Sequence, residues 1–360
     1  MDLSKTVNLH DFEVLARQRL PADVIGFIAS GAADEITLRE NRRAYEDIFL
    51  RYRVLRGVDK RDLTTSLFGQ KVSFPVLIAP TGFHKLIHAD GEIGMARAAA
   101  AAGTILVVST MANTPLEEVR AAVAGPMWFQ LYVYKDRGVT RSLLERAEAA
   151  GYDAIQVTVD LPVLGRREAQ IRDRFGLPAH LRLVNLESAG FGELSSVLGD
   201  SGIAAYTMRM LDDSLTWKDI EWFKSICKLP MLVKGIVRAD DARLAVEAGA
   251  AGVVVSNHGG RQLDTSIPTI RALSEVAEAV GDRAVVMVDG GIQRGTDVVK
   301  ALALGAMAVQ IGRPTLWGLA VGGQAGVASV LQLLKLEFDL AMALCGCASV
   351  AEVNRDLIAY

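Results

Sequence analysis

A chain of 360 residues that is 51% hydrophobic and 22% charged can bury a large core, and a formal net charge of -3 with a pI near 6.0 leaves no basic footprint for nucleic acid or an anionic membrane. Three cysteines, Cys227, Cys345 and Cys347, are too few and too badly spaced for a disulfide framework, and Cys345-Gly346-Cys347 reads as two buried thiols in apolar sequence. No run offers the roughly 18 uncharged apolar residues of a membrane span, and Met1-Asp2-Leu3-Ser4-Lys5 has no apolar stretch behind a basic start. The expectation is a cytoplasmic protein with no nucleic-acid and no membrane partner.

Residues 10 to 50 are helical in character, with Leu9, Phe12, Leu15 and Leu20 spaced to bury one face before Pro21 interrupts. Residues 1–73 form an N-terminal helical extension ahead of a repeating pattern. From residue 74 short apolar runs alternate with amphipathic stretches. The runs are Pro75–Pro80, Ile105–Ser109, Met127–Tyr132, Ala154–Asp160, Met231–Gly235, Gly252–Asn257, Ala284–Asp289 and Ala306–Gly312. Between them lie helical patterns such as Val139–Ala150, Asp240–Ala248, Ile270–Val280 and Thr296–Leu304, several followed by Gly as a helix end should be. The alanine run 98–102 reads as a tightly packed helix. Eight such strands, apolar enough to be buried on both faces, predict an α/β fold, a (β/α)8 TIM barrel over 74–345 within one domain spanning 1–360. An open doubly wound sheet would want Gly-x-Gly-x-x-Gly after the first strand, where this chain has Ala79-Pro80-Thr81-Gly82-Phe83. Residues 161–215 are too long for a simple connection after strand four and are expected to form an insertion or lid loop.

The residue types that end the strands carry the functional signal. They are Pro80-Thr81-Gly82, Ser109, Gln130 with Tyr132, Thr158 with Asp160, Lys234, Ser256 with His258, Asp289-Gly290-Gly291, and Gly312-Arg313. In a barrel these ends converge on the catalytic face, whereas polar groups scattered by chance would mark both faces. The densest stretch, Ser256–Asp264, delivers an imidazole and a guanidinium beyond a strand, with Gly259 and Gly260 between them to let the backbone turn. The segments 289–295 and 312–314 lie where barrels bind phosphate through backbone N–H groups, with Arg313 as a charge partner. His84 and His88, four apart with no carboxylate or cysteine completing a set, read as structural, so no metal site is expected.

Ser256–Asp264 (Ser-Asn-His-Gly-Gly-Arg-Gln-Leu-Asp), with Gln130–Asp136, Thr158-Val159-Asp160, Gly165-Arg166-Arg167, Leu232–Gly235, Asp289-Gly290-Gly291 and Ile311–Pro314, resembles the FMN-dependent 2-hydroxy acid oxidase and dehydrogenase family over about residues 8 to 355. The resemblance implies FMN lying across the C-terminal mouth of the barrel. It puts Pro80, Thr81 and Gly82 beside the flavin, Ser109, Gln130 and Thr158 at its edge, and Lys234 by N1 and the C2 carbonyl. Ser256 goes to the ribityl chain, and Asp289, Gly290, Gly291, Gln293, Gly312 and Arg313 to the ribityl and phosphate groups. Arg167 and Arg261 take the substrate carboxylate, Tyr132 lies near the hydroxyl, and His258 is the base, partnered by Asp160.

The activity so implied is oxidation of an (S)-2-hydroxy acid, lactate or a bulkier one such as mandelate, to the 2-oxo acid, with hydride transfer to flavin N5 and reoxidation by O2 to H2O2. Two guanidiniums suit a carboxylate through bidentate forks, an imidazole held by a carboxylate suits proton removal at neutral pH, and Lys234 supplies charge where a reduced flavin is anionic. The alternatives are a dehydrogenase using a quinone or protein acceptor, lactate monooxygenase-type chemistry and, from another class, a flavin binder without turnover or a phosphate-binding isomerase. The intact Tyr132, Asp160, Arg167, His258 and Arg261 argue against a degenerate binder. Residues 186–206 are neither long nor apolar enough for a membrane-binding insertion, and the family suggests a homotetramer or homo-octamer. Four departures stand out: Phe27 for a carboxylate-binding Tyr, Met111 for the Trp of glycolate-oxidising members, Gly82 for Ala, and Gln293 for an Arg near the phosphate, which leaves Arg294 or Arg313 to compensate. Phe27 and Met111 thereby become candidate walls for the substrate side chain.

Overall fold

The computed structural model describes residues 3–178, 180–189 and 210–360. Among the described residues three α-helices precede the barrel: α1 (Leu9–Arg17), α2 (Ala22–Ala29) and α3 (Ile36–Glu46). Asn8 starts α1 by accepting a hydrogen bond from the Asp11 backbone N at 3.0 Å, which satisfies one of the donors a helix N-terminus leaves free. Leu9 and Phe12 are buried under α1, with Leu15 and Leu20 packed against the same core. Pro21, which has no N–H to donate into a continuing helix, becomes the N-cap of α2.

The apolar runs become parallel strands β1 (Val76–Ile78), β2 (Leu106–Ser109), β3 (Met127–Leu131), β4 (Ala154–Thr158), β5 (Met231–Ile236), β6 (Gly252–Val255), β7 (Val285–Asp289) and β8 (Ala308–Ile311). They close in sequence order, with β8 joined back to β1 through Val309 and Val76, so the sheet has no free edge. This is the (β/α)8 barrel expected from the pattern. Its final helix, Arg313–Cys345, starts directly after β8, breaks at Gly322-Gly323, and packs on α1 and on the alanine-rich helix Gly91–Ala101.

Strand alternation sorts the interior into layers. At the N-terminal end Trp128, Ala154, Leu232, Val254, Met287 and Ala308 form one apolar cluster with Leu67 and Val72 of the hairpin Thr65–Leu67/Gln70–Val72. Trp128 Nε1 donates to Gln70 Oε1 at 3.2 Å, so the hairpin plugs that mouth. Two residues further along the same faces the inward positions turn polar. Gln156 and Gln310 exchange hydrogen bonds at 2.6 and 3.4 Å, and Ser109, Gln130, Lys234, Ser256 and Asp289 stand at the C-terminal end. The alternate positions, such as Phe129, Ile155, Val233, Val253 and Val309, face the helices in the main core. On β5 the register slips between Lys234 and Ile236, leaving Gly235 as an extra residue at φ 112°. A bulge of this kind re-aims a side chain at the end of a strand.

Of the expected insertion at 161–215, Glu168–Arg172 is a helix and Val184–Ala189 a 3-10 turn. Residue 179 and residues 190–209, including most of the stretch 186–206, lie outside the described residues. All three cysteines are buried and free. No helix among the described residues is long and apolar enough to cross a membrane.

Candidate active site

The loop after β6 is held at almost every residue. Ser256 Oγ accepts from Lys234 Nζ at 2.7 Å and from the His258 backbone N at 3.1 Å. Asn257 pairs reciprocally with Asn41 of α3, both bonds at 2.8 Å. Three successive residues, His258, Gly259 and Gly260, have positive φ of 57°, 64° and 76°. Glycine suits the last two, because a Cβ on Gly260 would meet the backbone of Leu38 at 2.6 Å. His258 takes the same conformation with a side chain, a strain that persists only where the surroundings over-determine it. At the far end Asp264 caps α3, accepting from the Thr37 and Ile36 backbone N at 2.8 and 3.3 Å.

That backbone aims the imidazole at Asp160, the second residue beyond β4, with His258 Nδ1 3.0 Å from Asp160 Oδ1. A carboxylate only accepts, so Nδ1–H is the donor and Nε2 is left as the basic nitrogen. Gln262 ties the two loops together: its Nε2 donates to the Asp160 and Val163 carbonyls at 2.8 and 2.9 Å, and its Oε1 accepts from the Gly165 backbone N and from Arg167. Burial pushes the His258 ring below the usual imidazole range, against the pull of Asp160. Burial alone would raise the Asp160 carboxyl, but His258 and Lys234 bring it below its usual value. Burial also pushes the Tyr132 phenol up to about 12. Lys234, 3.0 Å from Asp289 Oδ2, is penalised by burial yet held above its ordinary range by Asp289 and Asp160.

Arg167, Arg261 and Arg313 form a second group. Arg261 donates to the Ser30 carbonyl at 2.7 Å. Arg313 donates to the carbonyls of Ile28, Gly259 and Ser30 at 2.9, 3.0 and 3.1 Å, and Arg167 to the Arg261 carbonyl at 3.2 Å. None of the three has an ion-pair partner among the described residues. Burial lowers Arg167 and Arg313 to about 10, and burial with its two neighbours lowers Arg261 well below its ordinary value. Guanidiniums stay charged in proteins, so shifts of that sign express first the cost of burying these cations and, for Arg261 and Arg313, also their mutual repulsion with Arg167.

These groups line one cavity of about 270 Å³. Pro80, Thr81, Gly82, Ser109, Tyr132, Lys234, His258, Arg261, Arg167, Asp289, Gly290, Gly291, Gln293, Gly312, Arg313, Phe27 and Met111 all reach it. Asp160, Gln130, Thr158 and Ser256 stand one layer behind. Gln130 bridges Ser109 and Thr158, with both bonds at 3.1 Å, and Ser256 sits behind Lys234. Phe27 places its ring 5.5 Å under the Arg261 guanidinium and stacks on Phe175 at 4.7 Å, so a cation–π contact stands at the position noted above as a departure from Tyr. Arg294 turns away to Glu337 at 2.8 Å and does not line the cavity, which leaves Arg313 beside Gln293. Arg42, which the sequence did not single out, lines the same end, donating to the Gly291 carbonyl at 2.7 Å and to Asp297.

Residues 16–360 match the family model described as FMN-dependent dehydrogenase. The chain is 51% identical to glycolate oxidase 1 of Zea mays, over 98% of this chain and 95% of that protein, and equally identical to glycolate oxidase of Spinacia oleracea over the same shares. Its fold superposes on the crystal structure of mandelate oxidase with (S)-4-hydroxymandelic acid at a TM-score of 0.93, with 41% identity and 98% of each chain covered. The chain belongs to the FMN-dependent dehydrogenase family. Its cofactor is FMN and its activity is the oxidation of 2-hydroxy acids.

The cavity has the donor set for that cofactor. Asp289 Oδ1 is a buried acceptor with no donor, as a hydroxyl-bearing chain requires. Arg313 is a half-buried cation with no ion-pair partner among the described residues, as a phosphate requires, and Lys234 is a cation held charged at the barrel mouth. Several contributors escaped the sequence. Asn41 and the Gln156–Gln310 pair carry no local motif and act through partners far away in the chain.

Proposed function

We propose that the protein oxidises an (S)-2-hydroxy acid with an apolar side chain larger than that of glycolate and passes the electrons to O2, giving H2O2. The observation that carries this is the union, in one cavity, of a carboxylate-held imidazole, two guanidiniums lacking an anion, and an apolar lining of Phe27, Phe83, Met111, Leu161, Leu164 and Phe175.

FMN, when bound, supplies the two-electron acceptor. Pro80, Thr81, Gly82 and Ser109, with Gln130 and Thr158 behind them, would hold its ring; Asp289 would serve the ribityl chain, with Ser256 acting from behind through Lys234; Gly290, Gly291, Gln293, Gly312 and Arg313 would serve the phosphate. Arg167 and Arg261 orient the substrate carboxylate, each able to offer a forked pair of N–H donors. His258 Nε2 takes the hydroxyl proton, and Asp160 steadies the imidazolium that results. Tyr132, kept as a phenol by burial, donates to the substrate oxygen. Lys234 places positive charge where negative charge develops on the oxidant.

A panel from glycolate through L-lactate to (S)-mandelate, monitored for peroxide and for dye reduction, tests this. Rising kcat/KM with side-chain size and stoichiometric peroxide are expected. Strict dependence on an artificial acceptor would show a dehydrogenase instead, and a preference for glycolate would overturn the size assignment. Assembly as a homotetramer or homo-octamer fits the exposed stripe Leu336, Leu340 and Leu344 on the last helix and is checked by light scattering.

A further inference from the structure

Glu92 has 1% of its surface exposed and lies outside the cavity, in the first turn of the helix Gly91–Ala101. A buried carboxyl group without hydrogen bonds is costly, and both oxygens of this one accept. Its Oε1 accepts from the His84 backbone N at 3.2 Å and from the Asn113 backbone N at 3.0 Å, and its Oε2 accepts from Thr114 Oγ1 at 2.7 Å. The donors belong to two different loops. His84 ends the loop after β1 that carries Thr81, Gly82 and Phe83; Asn113 and Thr114 end the loop after β2 that carries Met111.

The two loops touch where they line the cavity. Phe83 N donates to the Met111 carbonyl at 3.1 Å, and a Cβ on Gly82 would lie 2.9 Å from Met111 Cβ. Phe83 holds φ at 62° despite its side chain, so this corner needs external fixing. Within the loop after β1, His84 Nε2 lies 2.7 Å from Thr81 Oγ1, while its Nδ1 has no hydrogen-bond partner among the described residues and lies 3.9 Å from Glu92 Oε1. Thr81, Gly82, Phe83 and Met111 all line the cavity.

We propose that Glu92 is a positioning residue: one buried carboxyl group clamps the loops after β1 and β2 together and so sets the gap between the Thr81–Phe83 segment and Met111, and with it the size of substrate side chain that is accepted. This rests on the 2-hydroxy acid oxidase assignment above and extends it to a residue that touches neither substrate nor cofactor.

The test uses the FMN-loaded enzyme with Glu92→Gln, which keeps the volume but offers a single acceptor oxygen, and Thr114→Val, which removes only the bond to Oε2. The readouts are kcat/KM for L-lactate and for (S)-mandelate, the visible circular dichroism of bound FMN, FMN affinity of the apoprotein by fluorescence, and the thermal midpoint. Glu92→Gln is expected to change the mandelate-to-lactate ratio of kcat/KM by about tenfold, the effect of one hydrogen bond to a charged group, and to alter the dichroism of the bound flavin. Thr114→Val should move both in the same direction by less. A lower thermal midpoint with the ratio and the dichroism unchanged would reduce Glu92 to a structural residue and overturn the proposal. Should Glu92→Gln fail to fold, Thr114→Val decides by the same criteria. A wild type that binds FMN but oxidises no 2-hydroxy acid would defeat the functional assignment instead, and the dichroism and affinity would still judge the clamp.

Discussion

The cavity has two kinds of lining, and they are built differently. The cationic part, Arg167, Arg261 and Arg313, is fixed through backbone carbonyls of α2, of the turn after it and of the loop after β6, yet no carboxylate among the described residues forms an ion pair with it. The apolar part, Phe27, Phe83, Met111, Leu161, Leu164 and Phe175, is complete in itself and selects by shape alone. The first specifies what class of molecule is required, because three half-buried guanidiniums gathered on one cavity favour an anion between them. The second specifies which member of the class fits. It has no polar group to enforce the choice, and a methylene in an apolar pocket discriminates by only about 1–3 kcal/mol.

The largest effect is expected where the polar part does chemistry. His258→Gln should lower flavin reduction by substrate about 10²- to 10⁴-fold, the usual contribution of a general base, with FMN still bound; stopped-flow bleaching of the flavin band measures it, and near-normal reduction would remove His258 from the reaction. The base works neutral, so activity is present above its pKa and lost as pH falls through it. Because burial lowers that pKa from 6.5, the acid limb of kcat/KM should lie below 6.5. In Asp160→Asn the group that holds the ring's pKa up is gone, so the limb should move to still lower pH while the rate falls. An acid limb above 6.5, or one that rises in Asp160→Asn, would contradict the pairing.

Arg261→Met sharpens the contrast by moving function and stability in opposite directions. Losing one charge-assisted contact of about 1.5–3 kcal/mol should cost roughly 10- to 150-fold in kcat/KM. The same change removes a half-buried cation that desolvation, Arg167 and Arg313 all disfavour, so the substrate-free protein should melt no lower than wild type. A large drop in both would mean that Arg261 is held for the fold through Ser30.

The polar part was readable in the sequence because hydrogen-bonding or ionisable residues end the strands one after another, and the strand ends of a barrel share one face. The barrel was readable for a related reason, since each strand is a short β-branched run bounded by a helix or a glycine. What stayed hidden is what fixes those residues in place. The N-terminal extension read as a preface, yet α2 and its following turn supply the carbonyls that hold Arg261 and Arg313, and Asn41 of α3 meets Asn257 across 216 positions. No local pattern announces such a pair. Gln156 and Gln310 were invisible in the same way, each sitting inside an apolar run with its only amide partner on a distant strand. The apolar part was half legible: Phe27, Gly82 and Met111 stood out as departures, but that Phe27 would lie under Arg261 depends on how α2 docks.

Gly82→Ala should give the smallest effect and probes the apolar part where it is tightest. The new methyl would stand 2.9 Å from Met111 Cβ and 3.2 Å from the Met111 carbonyl oxygen. Backbone cannot rotate away as a side chain can, so the loops after β1 and β2 must part by a few tenths of an ångström against the Phe83–Met111 hydrogen bond. That overpacking should destabilise by about 1 kcal/mol, the low end of the range for an added methyl. The gap that opens is backbone, whereas the methyl itself narrows the cavity beside Met111, so (S)-mandelate should lose more kcat/KM than L-lactate does. Equal losses for both acids would mean that this corner fixes the loops without gauging the substrate, and the apolar part would then have to discriminate through Phe83, Leu161 and Phe175.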